Sequence, residues 1–227
     1  MSLKNPPNLI LENLLRLYQN GEYKQAEELG LSLVDQFPDN QFCWKVLGAI
    51  YKQTYKYEKS LEANLNAVKI IPKDSAAHNN LGIAYRDLGR LDEAITSLKK
   101  AIDLEPNYAE AYNNLGISVT NLKDAKFFFN RAIDLNPSYA NAYNNLGITL
   151  KKLGELENAV KNIKIAIGLQ PDFEGALNNL GYTFIELGEL DKAEQYLRQS
   201  IKLKPDFAEA YNNLGITLHD KLKLNEA

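Results

Sequence analysis

The chain has 227 residues, 45% of them hydrophobic and 24% charged, with a formal net charge of −3. Such a composition is ordinary for a folded soluble protein. The 26 scattered Lys and Arg do not build the clustered positive surface that nucleic acid requires, and no apolar run approaches the roughly 18 residues of a membrane helix, so neither a nucleic-acid nor a membrane partner is expected.

The N-terminus, MSLKNPPNLILENLL, has one lysine, a proline pair and a glutamate inside its apolar stretch, which makes a poor signal peptide. Residues 1–6 read as an extension or a tag scar. The single cysteine, Cys43, allows no intrachain disulfide. It fits a reducing compartment, and a cytoplasmic location is expected.

From there a repeat sets the order of elements. Pro38, Pro72, Pro106, Pro137, Pro171 and Pro205 are spaced by 34, 34, 31, 34 and 34 residues. Placing each proline at position 32 gives units 7–40, 41–74, 75–108, 109–139, 140–173 and 174–207, with a partial unit at 208–227, all read as one solenoid domain over 7–227. Each unit predicts two helices. The first carries apolar and small residues at helical spacing, such as Tyr143, Leu146, Gly147 and Leu150. Gly21, Gly89, Gly154 or Gly188 then ends it, since glycine tolerates the left-handed conformation. A second periodic segment stops near the next proline. After that proline stand Asp39, Asn107, Ser138, Asp172 and Asp206 as expected helix caps, with Asn107–Glu110 and Asp206–Glu209 at capping-box spacing. Small residues recur at position 8 (Gly82, Gly116, Gly147, Gly181, Gly215), position 20 (Ala26, Ala94, Ala125, Ala159, Ala193) and position 27 (Ala67, Ala101, Ala132, Ala166), where paired helices should approach closely.

These residues carry a family resemblance. Trp44, Leu47, Gly48, Tyr51, Ala67 and Pro72, then His78, Leu81, Gly82, Tyr85, Ala94, Leu98, Ala101 and Pro106, resemble the tetratricopeptide repeat pattern, with Ser60 in place of the usual alanine. The resemblance covers nearly the whole chain. It implies an all-α fold, a right-handed α-solenoid of antiparallel helix pairs with about six and a half repeats. The first helix of each repeat would line the concave face and the second the convex face.

Four departures stand out. Repeat one has Leu14 where others have Gly and reads as an N-terminal cap. Repeat two has Tyr55 at the turn glycine, which predicts an altered or strained turn. Repeat four lacks three residues between Leu122 and Ala125, so its first helix should end early or its turn tighten, with Asp124 as a possible cap for the second helix. The adjacent Phe127, Phe128 and Phe129 put one ring at a core position and two either into the space so vacated or onto the surface as a patch for a partner or a second copy. At the other end, Leu214 and Leu218 would lie uncovered, so the chain is expected to be a fragment or to self-associate through that end or through Phe127 and Phe128.

No catalytic constellation, metal-ligand spacing or phosphate loop is present in the sequence, and neither cofactor nor enzyme activity is expected. The distinctive feature is a pair of asparagines. Position 6 is Asn80, Asn114, Asn145, Asn179 and Asn213; position 5 is Asn79, Asn113, Asn144, Asn178 and Asn212. Stacked repeats should align the position-6 amides in a column along the concave wall, each able to donate to and accept from a peptide backbone. This is similar to the asparagine ladder of O-linked N-acetylglucosamine transferases. Alternatively the amides bond to one another across repeats or satisfy helix ends, and position 5 is the weaker candidate for binding. Ile83, Ile117, Ile148, Tyr182 and Ile216 at position 9 make the floor partly apolar. A co-chaperone-type carboxylate clamp does not fit Lys45, Ala49, Asn80, Glu110 and Asn114.

The expected function is therefore a non-catalytic scaffold for a protein or peptide partner, an extended or helical segment held in the groove. The alternative is the substrate-recruiting arm of a larger enzyme such as a glycosyltransferase. On the first reading, alanine at Asn114 and Asn145 should weaken a partner and leave the melting temperature nearly unchanged.

Overall fold

The computed structural model describes residues 5–226; residues 1–4 of the expected N-terminal extension, and Ala227, lie outside it. The described residues form thirteen α-helices and no strand. They fall into two compact units. The first, Met1–Ser118, holds α1 (Asn8–Gln19), α2 (Tyr23–Gln36), α3 (Gln41–Gln53), α4 (Tyr57–Ile70), α5 (Ser75–Asp87), α6 (Leu91–Leu104) and α7 (Ala109–Ser118). The second, Val119–Ala227, holds α8 (Leu122–Leu135), α9 (Ala140–Lys152), α10 (Leu156–Leu169), α11 (Glu174–Glu186), α12 (Leu190–Leu203) and α13 (Ala208–Glu226).

The turn inside five helix pairs, α1–α2, α3–α4, α5–α6, α9–α10 and α11–α12, follows from one residue in the left-handed region. Gly21, Gly89, Gly154 and Gly188 have φ between 73° and 79°. The next residue's N–H then reaches back five residues, as in Arg90 N to Tyr85 O at 2.9 Å and Glu155 N to Leu150 O at 2.9 Å, the Schellman closure of a helix. Tyr55 makes the same turn with φ 58°, and Lys56 N donates to Tyr51 O at 2.8 Å. The turn is conserved in geometry and strained in residue type, because a side chain in that region meets the following carbonyl. At the corresponding place in α13 stands Leu222, and that helix runs on to Glu226.

Each of the six prolines at position 32 occupies the second position of a β-turn, with its predecessor's carbonyl accepting three residues on, as in Asn40 N to Phe37 O, Asp74 N to Ile71 O and Phe173 N to Gln170 O. Asp39, Asn107, Ser138, Asp172 and Asp206 therefore sit in the turn, one residue before the cap position. The expected caps are displaced accordingly. Asn40 and Asp74 do cap, accepting from Cys43 N and Ala77 N, while α9 and α11 start from Tyr139 and Phe173 without a side-chain cap. The two expected capping boxes fall out of register for the same reason. Helix α7 has 10 residues, shortened as expected, and Asn121 rather than Asp124 caps α8, accepting from Lys123 N and Asp124 N.

Packing within a pair rests on glycine at position 8 against a large residue at position 24. A Cβ on Gly82, Gly147 or Gly181 would lie 2.6, 2.4 or 2.6 Å from a side-chain carbon of Leu98, Ile163 or Leu197, and 3.1–3.3 Å from the carbonyl of Ala94, Ala159 or Ala193. Repeat one reverses the sizes: Leu14 is fully buried, and a Cβ on Gly30 would meet Leu47 at 2.7 Å. At position 4, the Trp44 indole donates to Pro38 O at 2.8 Å, and His78 Nε2 lies 2.9 Å from Pro72 O, so that nitrogen carries the proton.

Within the first unit α1, α3, α5 and α7 touch in succession, whereas α2 and α4, or α4 and α6, do not. In the second unit α9, α11 and α13 touch in succession, whereas α10 and α12 do not. The first helices thus form the inner face of each unit. We expect Gly147→Ala to lower stability by about 1–3 kcal/mol through overpacking, measured by urea unfolding. Tyr55→Gly should raise it. Relief of about 1–2 kcal/mol of left-handed strain, less about 0.4–1 kcal/mol for glycine's freer unfolded chain, leaves a small net gain and a higher melting temperature.

Candidate functional site

The paired asparagines meet across repeats in a staggered register. Asn114 Nδ2 donates to Asn79 Oδ1, Asn179 Nδ2 to Asn144 Oδ1, and Asn213 Nδ2 to Asn178 Oδ1, each at 2.9 Å and each 35 residues apart. One full repeat plus one residue separates donor and acceptor, so position 6 bonds position 5 of the preceding repeat. Asn178 Nδ2 in turn donates to Glu209 Oε1 at 3.0 Å. Glu209 and Asn213 lie four residues apart on α13, one turn of helix, so they grip Asn178 from both sides. Glu110 and Asn114 on α7 hold Asn79 the same way, with a longer 3.5 Å bond from Asn79 Nδ2. Asn144 faces Gly175 at that place on α11 and has only the Asn179 contact of this kind. Below the amides, Ser118, Thr149, Thr183 and Thr217 return their hydroxyl hydrogens to the carbonyls of Asn114, Asn145, Asn179 and Asn213.

Burial follows this bonding. Asn79, Asn113, Asn144 and Asn178 are buried, as are Asn114 and Asn213. Asn80, Asn145 and Asn179 are half-buried, and Asn212 on α13 is exposed. The residues at position 9 remain accessible on the inner face of each unit: in the first, Ile117 is exposed and Ile83 half-buried, and in the second, Ile216 is exposed and Ile148 and Tyr182 are half-buried. Lys151 Nζ lies 3.7 Å from the centre of the Tyr182 ring and 3.6 Å from Glu186 Oε1. Burial holds the Lys151 ammonium pKa below its ordinary value, and Glu186 offsets part of that effect. Phe129 is buried in the α8–α9 core, Phe128 is half-buried, and Phe127 is 58% exposed with its ring edge-on to Phe128. Leu214 is buried, while Leu218 and Leu222 are exposed along α13.

Family models described as TPR repeat match residues 82–122 and 181–221, and one described as tetratricopeptide repeat matches 128–161, together just over half of the chain. The chain belongs to the tetratricopeptide repeat family. Among solved structures, a chain of the APC/C hetero-tetramer Cut9–Hcn1 is 16% identical with a TM-score of 0.84, covering 92% of this chain and 42% of that one. PilW, a type IV pilus biogenesis factor, is 22% identical with a TM-score of 0.80 over 91% and 97% of the two chains. At such identities the likeness shows the fold. MamA is 28% identical with a TM-score of 0.58 over 72% and 97%. Among curated proteins no relative matches this sequence. TPR arrays serve generally as protein-interaction scaffolds, and the all-α helical-repeat fold is shared with these structures.

In this TPR chain, sequence spacing located the amides but not their stagger. The acceptors Glu110 and Glu209 were missed as amide partners, although their position four residues before Asn114 and Asn213 was the available signal. Among the described residues no three His, Cys, Asp or Glu side chains converge on a metal position, and no helix is long and apolar enough to cross a membrane. Cys43 is buried, and burial pushes its thiol up to about 11, so it stays protonated at neutral pH.

Because Asn114 is buried and bonded, its replacement by alanine should now cost stability, in place of the near-neutral effect expected from the sequence. Loss of a buried donor orphans Asn79 Oδ1, at about 1–3 kcal/mol. A double-mutant cycle with Asn79→Ala should return a coupling of about 0.5–1.5 kcal/mol in urea unfolding.

Proposed function

We propose that this protein is a non-catalytic scaffold, acting in the cytoplasm, in which the first-helix face of a unit binds an extended or helical segment of a partner protein. The observation that carries this reading is the division of labour on that face. Asn114, Asn179 and Asn213 tie neighbouring repeats together, while the position-9 side chains beside them stay accessible. Binding affinity then comes mainly from Ile148, Tyr182 and their equivalents, with remaining amide lone pairs and the Lys151–Glu186 pair adding direction. A micromolar complex needs about 8 kcal/mol, more than a few neutral hydrogen bonds of about 0.5–1.5 kcal/mol each provide. Apolar burial must therefore dominate. The exposed Phe127 ring offers a second protein-contact surface, for a partner or another copy.

The test is selection of binders from a random 12-residue peptide library displayed on phage, against the purified protein. Tyr182→Ala with Ile148→Ala should weaken the selected peptides at least tenfold, as loss of contact hot spots does. Lys161→Glu on the outer face of α10 should change nothing. Equal binding by all three proteins would refute the assignment of the face.

A further inference from the structure

Repeats two, three and six each set an aromatic ring at position 11, namely Tyr51, Tyr85 and Phe184, and they cover it differently. Phe184 is 2% exposed, and the Tyr196 ring of position 23 stacks on it, with centroids 5.7 Å and planes 11° apart. Tyr51 is 5% exposed, with the Lys56 and Lys59 ammonium groups 5.8 and 5.6 Å from its centre. In repeat three, position 23 is Ser97 and position 19 is Glu93 instead of lysine. Arg90 donates to Glu93 Oε1 from Nε at 2.9 Å and from one terminal nitrogen at 2.6 Å, and its guanidinium lies 4.7 Å from the Tyr85 centre. Beyond that one cation the Tyr85 ring has no cover of its own kind. It stays half-buried, whereas Leu17, Tyr51, Leu150 and Phe184 at position 11 of repeats one, two, five and six are buried.

Beside Tyr85 lies a groove of about 640 Å³ between α5 and α6. His78, Leu81 and Tyr85 line one side of it, and Glu93, Ser97 and Lys100 the other. Positions 4, 7 and 11 of a first helix lie about half a turn round from positions 6 and 9. The groove therefore opens on the side of α5 away from Asn80 and Ile83 and is separate from the inner face. In repeat six the ring of position 23 takes the corresponding place from within the chain.

We propose that this groove receives an aromatic side chain of a partner protein, stacked on Tyr85 as Tyr196 stacks on Phe184. The site does not rest on the inner-face binding proposed above. An aromatic guest buries the accessible part of Tyr85 and adds a ring-to-ring contact. Tyrosine suits the place best, because its hydroxyl can stay hydrated at a rim of polar side chains. Charge gives a guest little: an anion meets Glu93 and Asp103, and a cation meets Lys99, Lys100 and the Arg90 guanidinium already on the ring. An aliphatic side chain has no π face to set against Tyr85.

The test titrates N-acetyltyrosine methylamide into the full chain and follows the backbone amides of α5 and α6 by ¹H–¹⁵N NMR, with the N-acetylcyclohexylalanine analogue as the control of similar bulk. The tyrosine probe should shift the signals around Tyr85 and Ser97 and bind at least about threefold tighter than the control, as a stacking contact requires. Ser97→Tyr, which sets the tyrosine of repeat six into the groove, should abolish the response. Tyr85→Leu, which takes the residue of repeats one and five, should weaken the tyrosine probe to the level of the control. Each replacement already stands at its position in a folded repeat of this chain, so both variants should fold. Equal binding of the two probes, an unchanged response in Ser97→Tyr, or no shift at all overturns the proposal. Light scattering over a concentration series tests the source of the ring. A constant mass supports a partner protein. A mass that grows with concentration, and stops growing in both Ser97→Tyr and Phe127→Ala, would assign the guest to Phe127 of a second copy and overturn the partner.

Discussion

A glycine facing a large side chain is the contact on which the rest of each unit depends. Gly82, Gly147 and Gly181 let their helices approach until the partner's alanine carbonyl is within 3.1–3.3 Å of where a Cβ would be. That approach fixes the angle of each pair, and equal pairs stack with equal offsets. Equal offsets in turn bring position 6 of one first helix to position 5 of the one before it, at 2.9 Å three times over. Asparagine suits that meeting because one end of each amide can donate while the other accepts. The double asparagine therefore has a structural explanation, and its cost as a mediocre helix former is offset by a bond between repeats.

The same logic explains why one repeat differs in chemistry. Where Lys45 replaces the position-5 asparagine, the tie between α3 and α5 becomes an ion pair with Asp74. Burial pushes the Asp74 carboxyl up, but hydrogen bonds from Lys45 and the Ala77 N–H outweigh it and hold the group below its usual range. Asn80 is released from its usual role, and the polar Ser60–Asn64 pair lies beside it. A repeat protein can change the chemistry of one junction in this way with no change of fold, because each repeat contacts only its neighbours.

Much of the fold was legible in the sequence. The proline ruler and the turn glycines act locally, through φ and through the missing N–H of proline, so their spacing gave helix boundaries, the shortened α7 and the strained turn at Tyr55. The caps were misplaced by one residue because proline starts a β-turn of its own, which moves the helix start past Asp39 and its equivalents. At the candidate site the sequence showed which side chains recur but not how they stagger. A 35-residue reach instead of 34 depends on the tilt between successive first helices, a property of packing that no single repeat encodes. Likewise Ser60 was visible as a departure, whereas the unpartnered Asn64 Oδ1 emerges only once Gly48 and the Ser60 carbonyl are placed around it.

Hydrogen exchange of the asparagine side-chain NH₂ groups tests the interlocked amides most directly. Asn114 and Asn213, buried and donating to the preceding repeat, should exchange at least tenfold more slowly than the exposed Asn212. Exchange of all three at one common, unprotected rate would contradict the account, since amides open to water cannot be joining the repeats.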